Sequence, residues 1–234
     1  MNANTLKKEL RQLANPEQAI ILQRFFKTNK GGYAEGDVFL GLRVPLTRSI
    51  CKKYSNLSIE QIEILLHSKI HEFRLAALLI CVAQAKKADE QKQNELYKFY
   101  LKNTLWINNW DLVDLSAEHI IGKYLFDKDK SVLFDLAKSK KLWERRISIL
   151  SSFYFIKQNE FEVSLELIEL LLEDKHDLIH KACGWMLREI GKRNFEVLFS
   201  FLKSHYRIMP RTMLRYSIEK FPKDLRQKFL MSKI

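Results

Sequence analysis

The sequence predicts an all-α protein, and two observations carry that prediction. Only seven glycines and four prolines punctuate the 234 residues, fewer than a sheet with many tight turns requires. Apolar residues recur at i, i+3 and i+4 along most of the chain, which is the helical period. No stretch of alternating β-branched residues competes as a strand. We therefore expect helices joined by short loops.

The apolar period marks each helix in turn. The N-terminal segment MNANTLKKELRQL predicts an amphipathic helix rather than a signal peptide, because no apolar run follows its lysines. The linkers between the later helices are two to about seven residues long, as in ordinary helix–helix connections. Those helices are predicted at 59–68, 71–85, 93–103, 110–125, 130–139, 142–157, 164–173, 178–193, 195–205 and 211–221.

The predicted helices form pairs, in which a shorter amphipathic helix precedes a longer one with small residues in its middle. The small-residue motifs begin at 74, 114, 146, 181 and 215, at offsets of 40, 32, 35 and 34 residues. A nearly constant period of this length is typical of stacked helical hairpins. We predict an α-α superhelix, a HEAT- or armadillo-like solenoid, as a single domain over residues 1–234 with about six repeats. The second helices should line a concave surface that binds extended partners.

The N-terminal third departs from this period. The segment KTNKGGYAEGDVFLGLRVPLTR holds four of the seven glycines and the acid pair Glu35 and Asp37. It lacks the GxxxxGK and GxGxxG spacings, so it gives no support to a nucleotide-binding loop. We expect residues 29–41 to form a Gly-rich loop in an irregular first repeat, with Pro45 opening the next helix.

Metal and disulfide chemistry have no motif in this chain. HExxH and CxxC are absent, and the six histidines are scattered. The three cysteines, Cys51, Cys81 and Cys183, lie far apart in apolar surroundings, which predicts buried reduced thiols. We expect no metal and no cofactor.

The charge of the chain is concentrated at its two ends. The net charge is +12, and residues 1–53 and 203–234 contribute +6 and +7, whereas the middle of the chain is close to neutral. Such asymmetry favours a polyanionic partner, either nucleic acid or a membrane surface, although a protein can also be basic without one. No apolar run approaches the ~20 residues of a membrane span. We expect a cytoplasmic protein.

One helix start, NNWDLVDLSA at 108–117, carries candidate chemistry. Trp110 and Asp114 lie about 40° apart on a helical wheel, at the edge of the apolar stripe formed by Val113, Ala117 and Ile120. Aspartate is rarely buried without a partner. The pair is therefore either a half-buried tryptophan beside a solvated aspartate or part of a site.

Two other acids of this helix should play no part in a site. On the same wheel Asp111 and Glu118 are predicted to project toward solvent. Asp111 also begins the helix, where a negative charge is favourable near the N-terminal end of the dipole.

The next two inner helices add polar and aromatic side chains. Arg145 and Arg146 begin one of them, while Trp185 and Arg188 lie three residues apart in the other. Gly184 is unusual inside a helix, where it costs ~1 kcal/mol relative to alanine. A close approach of backbone or ligand would explain it. Core packing for Trp185 and a solvated face for the arginines are the alternatives.

Several separated segments together resemble the AlkD-type DNA alkylation-repair glycosylases. They are HEFRLAALL, WDLVDLSA, LWERRISIL, IHKACGWMLREIGK and MPRTMLRYSIEKF, and the resemblance extends over roughly residues 15–225, including the loop EGDVFLGLRVP. It implies HEAT-like repeats forming a C-shaped superhelix around duplex DNA. It also implies excision of positively charged N3- and N7-alkylpurines, such as 3-methyladenine and 7-methylguanine, in base excision repair.

The resemblance assigns roles residue by residue. The family's catalytic aspartate falls on Asp114, its two groove tryptophans on Trp110 and Trp185, and its phosphate-contacting arginine on Arg146, with Arg188 as a further DNA contact. A tyrosine of the best-known member aligns with Phe25, so the hydroxyl contact from that position is lost.

Further DNA contacts are expected from cations at the two ends of the chain and beside Arg146. They are Lys7, Lys8, Arg11, Arg145, Arg207, Arg211, Arg215, Lys220 and Lys223. The resulting expectation is a monomeric, monofunctional glycosylase without cofactor that acts on duplex DNA. Two alternatives stay open, a non-catalytic HEAT-repeat protein binding damaged, bent or branched DNA, and a protein–protein scaffold.

Overall fold

A computed structural model describes all residues from 1 to 234. The prediction of an all-α chain is confirmed, since apart from one isolated parallel bridge between Val38 and Ile70 the regular structure is helical. The helices are α1 (Ala3–Gln12), α2 (Pro16–Phe25), α3 (Val44–Cys51), α4 (Ile59–Leu66), α5 (His71–Ala85), α6 (Glu90–Lys102), α7 (Trp110–Asp114), α8 (Lys123–Leu125), α9 (Ser131–Ala137), α10 (Leu142–Ser151), α11 (Phe153–Lys157), α12 (Glu162–Leu170), α13 (Asp177–Gly191), α14 (Phe195–His205), α15 (Arg211–Ser217) and α16 (Lys223–Leu230).

The chain divides into two compact units, Met1–Tyr124 and Leu125–Ile234. The single repeat domain over residues 1–234 stays a prediction.

Two predicted helices are interrupted. The segment 110–125 is helical only to Asp114, then turns at 115–116 and continues as a π-helix over 118–122. Ser116 Oγ donates to the carbonyl of Leu112 over 2.5 Å, and such side-chain bonds to the preceding turn bend helices. The segment 142–157 is divided in the same way, where the Ser152 hydroxyl donates to the carbonyl of Ile149 over 2.8 Å.

Unit 2 contains stacked helical pairs of the predicted kind. Helix α9 packs against α10, and α12 packs against α13. The longer helices lie side by side, α10 on α13 and α13 on α15. Gly184 makes the last contact possible, because a Cβ atom there would lie 2.5 Å from the carbonyl oxygen of Met213. The expected close approach is thus made by a neighbouring backbone.

Unit 1 is organised around α5. Thirteen of its fifteen residues are buried, and it packs against α3, α4, α6, α7 and the π-helical turn at 118–122. Three of the buried residues, His71, Glu72 and Arg74, carry ionisable side chains in its first turn. Because charged side chains are seldom buried without partners, this end of α5 identifies a polar centre inside the unit.

The Gly-rich loop does join two helices, as the sequence predicted, and Pro45 lies in the first turn of α3. The Glu72 carboxylate accepts hydrogen bonds from three successive backbone amides, those of Leu40 (2.9 Å), Gly41 (2.8 Å) and Leu42 (3.1 Å). Gly41 has φ of +87°, and a Cβ atom there would lie 2.0 Å from the carbonyl oxygen of Asn15. The loop is thereby fixed to α2 and α5.

The three cysteines are free and buried, which confirms the prediction of buried reduced thiols. Burial raises the pKa values of Cys51 and Cys81 to about 12. None of the helices is both long and apolar enough to cross a membrane.

Candidate active site

Trp110 is held by both aromatic and polar contacts. Its indole stacks on Phe26, with centroids 5.2 Å apart and planes 17° apart, and Phe25 meets it edge-on at 5.9 Å. The indole N–H donates to the Tyr33 hydroxyl over 3.2 Å. The Asn109 side chain caps α7 by accepting from the Trp110 amide over 2.8 Å. The position of the ring is fixed by residues from three separate segments.

A cavity of about 330 Å³ opens beside this tryptophan in unit 1. Its walls are largely aromatic and apolar, and Phe25, which is 61% exposed, lies at its edge. The side chains that line it include Phe25, Phe26, Phe39, Leu42, His71 and Trp110.

Asp114 ends α7, one turn after Trp110, and both residues are half-buried. The neighbouring Val113, Ala117 and Ile120 are 0%, 0% and 3% exposed. The predicted position of the pair at the edge of the packed face is therefore confirmed.

Asp114 also acts electrostatically on the core beneath it. Burial raises the pKa of Tyr100, and the negative charge of Asp114 raises it further. The Tyr100 hydroxyl lies 2.9 Å from that of Ser116 and stays protonated at neutral pH.

The solvent-facing positions predicted for Asp111 and Glu118 are wrong. The two residues are 9% and 7% exposed. Asp111 turns inward because its Oδ2 lies 2.8 Å from Nε2 of the buried His71. Glu118 falls in the π-helical turn, where the 100° wheel no longer applies.

His71, Phe26 and Tyr33 are contributors to this site that the sequence reasoning missed. The His71 ring packs against those of Phe26 (centroids 5.1 Å apart) and Phe39 (4.4 Å apart), and its bond to Asp111 connects α5 to α7. The available signal was the motif HEFR, which places three ionisable side chains in the first turn of an otherwise apolar helix.

In unit 2, the two arginines of α10 are both engaged within the protein. Arg145 Nε donates to Asp174 over 2.6 Å, and its Nη1 donates to the Ser139 carbonyl over 2.9 Å. Arg146 is 5% exposed, and its Nη1 donates to the Leu178 carbonyl. These contacts join α10 to the turn before α13 and its first residues.

Trp185 and Arg188 lie on α13 of the same unit. The indole N–H of Trp185 donates to Glu189 Oε1 over 3.3 Å, and its ring lies 5.6 Å from that of Phe153. Arg188 forms an ion pair with Glu219. Both predicted site residues are half-buried.

The cations predicted at the C-terminal end are exposed on α15 and its flanking turns. Arg207 Nε donates to the Tyr206 hydroxyl over 3.0 Å, and Arg211 donates to the Leu230 carbonyl over 2.7 Å. Lys220 lies 3.4 Å from Glu219. Arg215 is also exposed.

At the N-terminal end, three predicted cations lie on α1. Lys7 donates to the Ile64 carbonyl over 2.8 Å, and Arg11 lies 5.2 Å from the ring of Phe73. Lys8 is exposed.

The sequence matches the family model of the DNA alkylation repair enzymes over residues 6–221. This chain belongs to that family. A search of curated proteins gave no match.

Among solved structures, this chain is similar to a predicted DNA alkylation repair enzyme from Enterococcus faecalis. The TM-score is 0.70, and the identity is 16% over 90% of this chain and 97% of the other. It is also similar to AlkD2 from Streptococcus mutans, with a TM-score of 0.55 and 16% identity over 88% and 98% of the two chains. A third similar structure is that of smu.31 from Streptococcus mutans UA159, with a TM-score of 0.52 and 16% identity over 94% of this chain and 98% of the other. At these identities the likeness concerns the fold.

Proposed function

We propose that this member of the family is a DNA glycosylase that removes positively charged N3- and N7-alkylated purines from duplex DNA and leaves an abasic site. The observation that carries the proposal is the pair Trp110 and Asp114, one turn apart at the accessible edge of α7. The ring of Trp110 is fixed by Phe26 and Tyr33, so an aromatic face and a carboxylate are presented together.

The chemistry requires little acid catalysis. An N3- or N7-alkylated purine carries a positive charge and leaves as a neutral base, while the sugar develops oxocarbenium character. A carboxylate stabilises such a cation, as it does in glycoside hydrolysis. Asp114 takes this role and orients or deprotonates the attacking water. Selection then depends on charge rather than on a deep pocket that encloses the base, which differs from the base flipping of most base-excision enzymes.

Aromatic faces assist at the sugar. Trp110 offers a cation–π contact to the developing charge, worth ~0.5–2 kcal/mol, and the family resemblance implies the same role for Trp185. The reaction proposed here uses no cofactor or metal. The protein acts as a monomer and as a monofunctional enzyme.

Phosphate contacts position the duplex without reading its sequence. We assign them to the arginines of α10 and α13, Arg145, Arg146 and Arg188, and to the exposed cations of the last repeat. If about six phosphates are neutralised, the logarithm of the binding constant should fall with the logarithm of salt at a slope of about −5.

The deciding experiment measures 7-methylguanine release from methylated duplex DNA. Wild type should release the base, Asp114→Asn should lose most of that activity, and both should bind the duplex alike. Asp127→Asn is the matched control, because Asp127 is an exposed aspartate on the surface of unit 2. Equal release by Asp114→Asn and wild type would remove Asp114 from the catalytic role.

The alternatives are distinguished by this assay together with DNA binding measured at two salt concentrations. A wild type that binds duplex DNA and releases nothing is a non-catalytic DNA-binding protein. If the affinity of the wild type for duplex DNA does not depend on salt, the protein is a protein–protein scaffold.

A further inference from the structure

Four ionisable side chains meet inside unit 1, and the proposed chemistry uses none of them. His71 Nε2 lies 2.8 Å from Asp111 Oδ2, and His71 Nδ1 lies 3.6 Å from Asp37 Oδ2. Arg74 Nη2 pairs with the same Asp37 oxygen. The side chains of His71, Arg74, Asp37 and Asp111 are 2%, 2%, 6% and 10% exposed. We call these four residues the His71 cluster.

The cluster is neutral only when His71 carries a proton. Two carboxylates face one guanidinium, so an imidazolium completes the balance, and an uncompensated buried charge is costly. Glu72 is the other acid in this turn, and its carboxylate is occupied by the three loop amides described above. Burial and the positive charge of Arg74 lower the pKa of His71. The negative charge of Asp111 and its hydrogen bond with the imidazole, together with the nearby Asp37 carboxylate, outweigh them, and the pKa is raised.

The cluster is connected to Trp110 in two ways. Asp111 is the next residue along α7, and its second oxygen accepts the amide of Leu112 over 2.9 Å. Phe26, on which Trp110 stacks, has its ring centroid 5.1 Å from that of His71. The imidazole therefore fixes both the first turn of α7 and the ring beneath the indole.

We propose that His71 is a positioning residue whose protonated imidazole, bonded to Asp111, holds the turn carrying Trp110 and Asp114 in the orientation used for base excision. Neutral imidazole has one N–H and can donate to only one of the two carboxylates. Because the pKa is raised, the imidazolium holds Asp111 fully below the ordinary histidine value of ~6.5, and this hold weakens to that of a neutral hydrogen bond as pH rises through the raised pKa.

Two variants of His71 separate positioning from mere packing. Glutamine places its amide nitrogen near the position of Nε2 and keeps the bond to Asp111 without titrating. Asparagine places its amide near Nδ1, toward Asp37, and loses the Asp111 bond.

We expect His71→Asn to lower the single-turnover excision rate about 10-fold or more with unchanged DNA affinity. His71→Gln should keep most of the rate and lose its dependence on pH. Equal behaviour of the two variants would overturn the proposal.

A second readout does not depend on activity. In a chain with phenylalanine at the other three tryptophan positions, 106, 143 and 185, the emission of Trp110 should change with pH at the midpoint of the His71 ring titration measured by NMR. His71→Gln should remove that transition. The control His67→Asn changes an exposed histidine of the same unit and should leave that transition intact.

The excision readout depends on the proposed function, and the fluorescence readout does not. Wild type that releases no base, while Trp110 emission still follows His71, overturns the proposed function alone. Trp110 emission that is flat across the His71 titration overturns the positioning role. If the His71 variants do not fold, Asp111→Asn keeps a hydrogen-bond partner, and it should lower both the His71 pKa and the fluorescence midpoint.

Discussion

The hydroxyl of Tyr33 accepts a hydrogen bond from the indole of Trp110 over 3.2 Å, although 77 residues separate them. The same hydroxyl lies 3.4 Å from the Phe25 carbonyl, to which it donates. The family resemblance aligns a tyrosine with Phe25, whose ring has no hydroxyl. In this chain the Gly-rich loop brings a hydroxyl to the tryptophan from a different position.

Removal of the Tyr33 hydroxyl should allow the indole of Trp110 more motion. Tyr33→Phe keeps the ring and loses one hydrogen bond, worth about 0.5–1.5 kcal/mol. We expect a several-fold lower rate of 7-methylguanine release, with DNA affinity within twofold of wild type, measured in single-turnover assays. Tyr97→Phe is the control, because Tyr97 stacks on Tyr124 in the same unit, away from α7. A rate equal to wild type would show that the hydroxyl does not position Trp110.

The Glu72 carboxylate should be important for stability, because it accepts three loop amides and is 1% exposed. Glu72→Gln turns an N–H group toward these donors and should lower the free energy of unfolding by about 2 kcal/mol, since hydrogen bonds to charged groups contribute about 1.5–3 kcal/mol. Urea unfolding followed by circular dichroism measures the change. Glu95→Gln, in an exposed pair with Lys92, should have little effect. Equal stability of the two variants would contradict the role of Glu72.

Gly184 should resist substitution despite its poor helix propensity. In an isolated helix, alanine is more stable than glycine by ~1 kcal/mol. In this protein, however, the alanine Cβ atom would lie 2.5 Å from both the Met213 carbonyl oxygen and Tyr216 Cβ. Overpacking of this kind costs about 1–3 kcal/mol. We expect Gly184→Ala to lower the midpoint of thermal unfolding. A midpoint equal to or above that of wild type would show that α15 moves aside at no cost.

Arg146 and Arg215 should differ in what they contribute. Arg215 is exposed, so Arg215→Gln should reduce the magnitude of the salt slope for DNA binding by about one without changing stability. Arg146 is buried against the Leu178 carbonyl, so Arg146→Gln should lower both stability and affinity. Fluorescence anisotropy at several salt concentrations and urea unfolding measure the two effects. An Arg146 variant with full stability would contradict the buried contact, and one with an unchanged salt slope would remove the proposed phosphate contact.

Local sequence patterns predicted most of the helices because the i, i+3, i+4 spacing of apolar residues is a property of neighbouring positions. The bounds of α5 and α14 agree with the prediction at both ends. The patterns missed α2, which leaves Ile20 and Phe25 52% and 61% exposed and so has no clear apolar stripe. They also missed the interruption after Asp114, since it arises from a serine side chain bonding to the preceding turn.

The sequence by itself therefore determined the helical class, the family, the charged ends, and the pair Trp110 and Asp114 at a helix edge. Only the tertiary structure decided that Asp111 turns inward to His71, that Tyr33 reaches Trp110, and that Glu72 closes the Gly-rich loop. The physical reason is that periodicity depends on residues within one or two turns, whereas a buried charge finds its partner among residues that are distant along the chain. Such partners become neighbours only after the helices have packed.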